Sequence, residues 1–133
     1  MTPVFLDTVG LIALWDEDNQ WHEPANTAFD RLTQQTRVLV VTTLVLYECG
    51  NATARRPYRV DVDDLREQMK AQDRLVEPTE ADLTAAWTAY RAGHAGEAGI
   101  VDHVSFAVMR RLGLVEAFTN DRHFAAAGFI PLF

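Results

Sequence analysis

The apolar residues of this chain fall into short continuous runs that alternate with longer amphipathic stretches. Short runs bounded by polar residues are typical of strands buried on both faces, whereas apolar residues spaced three and four apart indicate helices. The predicted strands are residues 4–6, 38–41, 75–76, 114–119 and 129–133, and the predicted helices are residues 9–15, 23–35, 43–54, 61–72, 80–91, 101–112 and 121–127. Strands that alternate with helices predict an α/β fold with four or five mostly parallel strands.

Residues at the predicted helix ends agree with this assignment. Pro24 stands at a first helical position, Thr42 or Thr43 can cap the third helix, and Gly113 follows the end of a long apolar helix. Thr79 is followed three residues later by an acid, as in a capping box. Capping chemistry therefore supports the helix boundaries that the apolar pattern predicts.

Composition points to one folded unit. The chain has 133 residues, of which 48% are apolar, and this is enough for a single domain over residues 1–133. No apolar stretch approaches the ~20 residues that a membrane crossing needs, and the first residues lack the basic flank of a signal peptide. Cys49 is the only cysteine, so no internal disulfide can form. We expect a soluble cytoplasmic protein with no membrane association.

The charge balance argues against a protein whose whole surface attracts nucleic acid. Nineteen acids against twelve bases give a formal net charge of −7. A local basic patch is still compatible with this balance, and Arg55, Arg56 and Arg59 cluster after the third predicted helix. These arginines are candidates for RNA contacts, with ordinary surface solvation as the alternative. Further candidates for phosphate contacts are Arg110, Arg111 and Arg122.

Four acids occupy positions where acids are unusual. Asp7 directly follows the first predicted strand, and Asp121 closely follows the fourth. The carboxyl ends of parallel strands lie at one edge of a sheet, so both acids are expected at that edge. Glu48 is predicted on a core-facing helix stripe with Leu44, Val45 and Ala52, and Asp102 opens an otherwise apolar helix.

Each acid also has a simpler interpretation. Asp7 and Asp121 could be helix N-caps, Asp102 could complement a helix N-terminus, and Glu48 could pair with a buried arginine. The joint pattern is more informative, because converging carboxylates repel one another unless a cation lies among them. Mg²⁺ or Mn²⁺ is the cation that suits carboxylate oxygens. His103 and His123 adjoin acids, but zinc spacing is missing and His123 is expected to pack or to face substrate.

Four segments of the chain together resemble one known family. They are FLDT, the stretch from Thr42 to Glu48, VDHVSFAVMRRLG and AFTNDRHFAAAGF, and they span almost the whole sequence in family order. This pattern resembles a PIN-domain ribonuclease, and specifically the VapC-type toxins of bacterial toxin–antitoxin pairs. The resemblance implies a three-layer α/β/α fold and hydrolysis of RNA phosphodiester bonds that depends on Mg²⁺ or Mn²⁺. It also implies an antitoxin partner and a homodimer.

The resemblance assigns roles to individual residues. Asp7, Glu48, Asp102 and Asp121 match the four acidic positions of the family, and they are the expected catalytic residues and metal ligands. Candidates to support these acids or to bind water beside them are Thr8, Thr42, Ser105, Thr119 and Asn120. Whether Asn120 also reaches the metal is open.

Other functions remain compatible with the sequence. A nuclease of this fold could act on DNA or in RNA processing without an antitoxin, and a catalytically silent PIN-like module could bind RNA or protein. The cluster of four acids argues against the silent module. An acid-phosphatase-like site with Asp7 as nucleophile is disfavoured because position 9 is valine and Lys70 is the only lysine.

Overall fold

The sheet of this protein has five strands, and every pairing is parallel. The computed structural model describes all 133 residues. In chain order the strands are β1 (Val4–Leu6), β2 (Leu39–Thr42), β3 (Leu75–Val76), β4 (Glu116–Phe118) and β5 (Ile130–Pro131). They lie in the order β3-β2-β1-β4-β5, which places β1 at the centre. The predicted α/β class and strand number are confirmed.

Seven helices cover the two faces of the sheet, as the three-layer prediction requires. They are α1 (Thr8–Trp15), α2 (His22–Gln34), α3 (Thr43–Ala52), α4 (Arg59–Ala71), α5 (Glu80–Ala92), α6 (Ile100–Leu112) and α7 (Arg122–Ala126). None of these helices combines the length and the apolar character needed to cross a membrane.

The continuous apolar runs of the sequence form the centre of the core. Val4, Phe5 and Leu6 of β1 have no exposed surface, and Phe118 of β4 is equally buried. Removing a phenylalanine side chain from water contributes roughly 1.5–3 kcal/mol to stability, so the central strands hold the sheet firmly. The carboxyl ends of β1 and β4 are therefore well-fixed positions for the residues that follow them.

Gly10 allows α1 to lie directly against the end of β4. A Cβ atom at this position would be 2.1 Å from the carbonyl oxygen of Phe118, which no side chain can tolerate. The first turn of α1 consequently approaches the carboxyl end of β4. This close contact brings Asp7, at the start of α1, next to the segment that follows Phe118.

Thr42, Thr79 and Gly113 lie at helix ends as predicted, whereas Pro24 is the third residue of α2, which begins at His22, and not the first. Thr42 Oγ1 accepts a hydrogen bond from the Val45 N–H at 3.1 Å, and Thr79 forms a reciprocal capping box with Asp82. Gly113 ends α6 with a φ of 69°, in the left-handed region that favours glycine. These contacts explain why the helix starts and ends could be predicted closely from sequence.

Several boundaries differ from the prediction for local reasons. The fourth strand begins at Glu116 instead of residue 114, because the Leu114 N–H bonds to the Met109 carbonyl and completes the end of α6. The fifth is reduced to two residues. The core-facing stripe assigned to α3 was also wrong in part. Its buried face is formed by Val45, Leu46 and Cys49, Ala52 is exposed, and Glu48 is half-buried at the edge of that face.

Candidate metal centre

Thr119 links the two acids that follow the central strands. Its Oγ1 donates a hydrogen bond to Asp7 Oδ2 at 2.8 Å and accepts one from the Asp121 N–H at 3.0 Å. Thr119 has no exposed surface, so this link is inside the protein. Asp7 and Asp121 are therefore held at the same edge of the sheet, as the strand pattern predicts.

Thr8 links the third acid to the same edge. As the first residue of α1, it donates through Oγ1 to Glu48 Oε1 on α3. Because Thr8 is adjacent to Asp7 in the chain, this contact keeps Glu48 beside the junction of β1 and α1. The predicted alternative for Glu48, a pair with a buried arginine, is wrong, because Glu48 forms no ion pair.

Asp102 brings α6 to the cluster. It lies in the first turn of α6, where a negative charge complements the helix dipole. Potential ligand atoms of Asp102, Asp121 and His123 lie within 4.8 Å of one another. The bidentate pair between Arg111 and Asp82, with contacts of 2.8–3.1 Å, ties α6 to α5 and so helps to fix the helix that carries Asp102.

Burial and mutual repulsion alter the ionisation of two acids. Burial raises the pKa of Asp7 from 3.8 to about 7; a hydrogen bond from Thr119 opposes this rise, and the charges of Asp102, Asp121 and Glu48 add to it. Burial likewise raises the pKa of Asp102 to about 6, with further contributions from Asp121 and Glu48. Asp102, Asp121 and Glu48 raise the pKa of Asp7 because the four acids lie close together.

No positively charged side chain pairs with three of the four clustered carboxylates. Asp7, Glu48 and Asp102 form no ion pair, and the only ion-pair partner of Asp121 is His123. Asp7 is 1% exposed, whereas the other three acids are half-buried. The cluster therefore has a closed side at Asp7 and an open side facing solvent.

Three of the acids have one carboxylate oxygen held by the protein and one without a partner. Thr119 occupies Oδ2 of Asp7, Thr8 occupies Oε1 of Glu48, and His123 occupies Oδ1 of Asp121. Asp7 also caps α1, and Asp121 caps α7. Each cap hydrogen bond is accepted by the same oxygen that the protein already holds. The remaining oxygens accept no hydrogen bond. An all-oxygen donor set with excess negative charge fits Mg²⁺ or Mn²⁺.

The other candidate residues are distributed differently. Thr42 caps α3 and makes no hydrogen bond to the acids, while Ser105 is buried with a hydroxyl that has no partner. Asn120 is half-buried and forms no side-chain hydrogen bond, so nothing in the structure assigns it a metal contact. His123, expected to pack or to face substrate, lies with its Nδ1 2.9 Å from Asp121 Oδ1. An Asp followed two residues later by His at a helix start is the sequence signal for this contact.

The arginines separate into two groups. Arg55 and Arg56 are exposed, form no ion pair and line a groove of about 580 Å³, and Arg59 lines a second groove of similar size between α3 and α4. In contrast, Arg111 is paired with Asp82, and Arg110 bonds to the Ala127 carbonyl and stacks over a phenylalanine ring. Arg122 is exposed and, like the first group, forms no ion pair or side-chain hydrogen bond, so these arginines are free to contact another molecule while Arg110 and Arg111 keep their contacts within the fold.

Solved structures of three proteins resemble this fold over nearly its full length. VapC20 of Mycobacterium tuberculosis, described as a sarcin–ricin loop cleaving toxin, is 27% identical, with a TM-score of 0.78 and 96% of each chain covered. FitAcB of Neisseria gonorrhoeae is 17% identical, with a TM-score of 0.65 and coverage of 98% of this chain and 96% of that one. PAE2754 of Pyrobaculum aerophilum is 21% identical, with a TM-score of 0.60 and coverage of 98% and 90%.

Sequence comparison gives the family. No curated protein matches this chain significantly. The family model of the PIN domain matches residues 4–130, a range that contains all five strands apart from the last residue of β5. This chain therefore belongs to the PIN domain family.

Proposed function

We propose that this protein is an endoribonuclease that depends on Mg²⁺ or Mn²⁺, with Asp7, Glu48, Asp102 and Asp121 as metal ligands and catalytic residues. The observation that carries the proposal is the buried Asp7, which lies among three other acids without a cation of the protein. A likeness to VapC20, described as a sarcin–ricin loop cleaving toxin, supports RNA as the substrate.

The residues around the acids prepare the site for hydrolysis by water. A bound divalent ion would lower the pKa of its water and stabilise charge on the phosphate. Thr119 and Thr8 orient Asp7 and Glu48, and Glu48, Asp102 and Asp121 are partly exposed to solvent, from which an RNA strand would approach. Burial raises the pKa of the neighbouring Cys49 thiol to about 12, so Cys49 stays protonated and cannot act as a thiolate nucleophile.

The arginines of the exposed group are the proposed RNA contacts. In an Asp7→Asn background, which prevents cleavage during the titration, Arg55→Ala/Arg56→Ala should weaken binding of single-stranded RNA. Loss of two phosphate contacts should reduce the slope of log K against log salt by about 1.4. Fluorescence anisotropy over a range of salt concentrations measures both quantities. Exposed Arg31 and Arg91, replaced together by alanine, provide a charge-matched control. An unchanged affinity and slope would remove this patch from the account.

We further propose that the protein acts in the cytoplasm as the toxin of a toxin–antitoxin pair. Likeness to VapC20, described as a toxin, supports this role. Induced expression of the wild-type protein should arrest bacterial growth, and the product of the adjacent open reading frame should restore it. Asp7→Asn should not arrest growth at an equal protein level. If folded wild-type protein accumulates and growth continues normally, the toxin role is contradicted. The alternative is then a nuclease that acts without an antitoxin.

The homodimer implied by the resemblance is also a proposal. The mass of the protein in solution, measured by light scattering, tests it directly. A monomer at all concentrations would make the homodimer prediction wrong without affecting the proposed chemistry.

A further inference from the structure

His123 contacts a single oxygen of Asp121 in two ways, through a hydrogen bond from its backbone N–H and through its ring nitrogen Nδ1 at ion-pair distance. Its backbone N–H and its ring nitrogen Nδ1 both lie 2.9 Å from Asp121 Oδ1. The second carboxylate oxygen, Oδ2, accepts no hydrogen bond from the protein. The carboxylate of Asp121 is therefore fixed on one side and available on the other.

The local fold explains how this arrangement forms. Asp121 is the N-cap of α7, and His123 is the second residue of that helix. The cap hydrogen bond holds Oδ1 through the backbone N–H alone. The imidazole adds a second nitrogen, Nδ1, at 2.9 Å from the same oxygen. Two contacts on one oxygen hold the carboxylate in one orientation more firmly than the cap alone would.

We infer that His123 is a positioning residue, which holds Oδ1 of Asp121 so that Oδ2 is presented to the divalent ion. This inference rests on the proposed metal-dependent function. Residues that orient metal ligands in this way typically change metal affinity by roughly 10–100-fold when they are replaced. Direct ligation by the imidazole is less suitable, because the other donors are carboxylates and imidazole favours softer ions.

A purely structural role for His123 makes a different prediction. If the contact with Asp121 served only to hold α7 on the fold, its loss would lower the melting temperature of the metal-free protein and leave metal affinity unchanged. The two roles are thus separated by measuring Mn²⁺ affinity and metal-free stability on the same samples.

The experiment is a titration of Mn²⁺ into the metal-free protein, followed by electron paramagnetic resonance of the free ion. His123→Phe keeps a ring but removes both nitrogens, and it should weaken Mn²⁺ binding by roughly 10–100-fold. His123→Asn places an amide nitrogen near the position of Nδ1, so it should bind more tightly than the phenylalanine variant. His123→Gln extends its amide toward the position of Nε2 and should not recover the affinity. His94→Asn, at an exposed histidine whose side chain forms no hydrogen bond, is the matched control.

The outcomes separate this inference from the proposed function. If the wild-type protein binds Mn²⁺ and His123→Phe binds it with equal affinity, the positioning role is overturned and the proposed metal site still stands. Recovery by His123→Gln and not by His123→Asn would also overturn it, in favour of direct ligation through Nε2. Absence of saturable Mn²⁺ binding by the folded wild-type protein would overturn the proposed function itself.

Discussion

Asp7→Asn should reduce metal-dependent RNA cleavage by roughly a thousandfold, which corresponds to about 4 kcal/mol of lost transition-state stabilisation. Asp7 is the most deeply buried of the four acids and the one on which the other three act electrostatically. Replacing its carboxylate by a neutral amide removes one charge from the proposed ligand set. Single-turnover cleavage of a labelled RNA in saturating Mg²⁺ measures the effect.

The variant is expected to keep its fold. Asparagine has nearly the same shape, and its carbonyl oxygen can still accept the hydrogen bond from Thr119 Oγ1. Circular dichroism and the melting temperature verify this for every sample. Asp18→Asn, at an exposed acid on the loop after α1, is the matched control and should cleave at the wild-type rate. Undiminished cleavage by folded Asp7→Asn would contradict the proposed role of this carboxylate.

The same substitution should stabilise the metal-free protein at alkaline pH. The pKa of Asp7 is about 7 in the folded protein and 3.8 as a reference for the unfolded chain. Between these values the folded state binds more protons, so its stability is complete below about pH 4 and falls as the pH rises toward 7. An amide cannot ionise and avoids this loss. Asp7→Asn should therefore be more stable than wild type at pH 8 by about 2–4 kcal/mol, but not at pH 4.

Thermal unfolding in a chelator at both pH values measures this difference. At pH 8 the variant should melt roughly 5–15 °C above the wild type, and the two melting temperatures should converge at pH 4. Addition of Mg²⁺ at pH 8 should raise the melting temperature of the wild type far more than that of the variant. An ion at a hundred times its Kd adds about 2.7 kcal/mol of stability.

Two results would contradict this account of stability. A metal-free Asp7→Asn protein that is less stable than wild type at pH 8 would mean that the ionised carboxylate is stabilised by a cation of the protein. An equal response of both proteins to Mg²⁺ would mean that the ion binds elsewhere. Asp18→Asn should follow the wild type in every condition, since Asp18 is exposed.

Much of the fold was predictable because its signals are local. The buried runs at β1 and β4, the cap at Thr42 and the glycine after α6 each depend on a few neighbouring residues. The convergence of Asp7 and Asp121 followed from one general property, that parallel strands end at the same edge of a sheet. The family model over residues 4–130 agrees with these predictions of fold.

Contacts between distant segments were less predictable. The hydrogen bond from Thr8 to Glu48 depends on how α1 packs on α3, and the close approach at Gly10 depends on the position of β4. Sequence spacing placed Glu48 on the core side, whereas helix packing turns it to the edge of the buried face. The contact between His123 and Asp121 was not predicted because the ring reaches Asp121 only through the conformation of the α7 cap.

On the proposed function, the acid cluster holds a divalent ion that is required to cleave RNA. The most direct test is cleavage of a labelled RNA by metal-free wild-type protein as Mg²⁺ or Mn²⁺ is added back. We predict no cleavage in the chelator and a saturable return of activity with added ion. Undiminished cleavage in excess chelator, or no cleavage by folded protein at any concentration of either ion, would contradict the account.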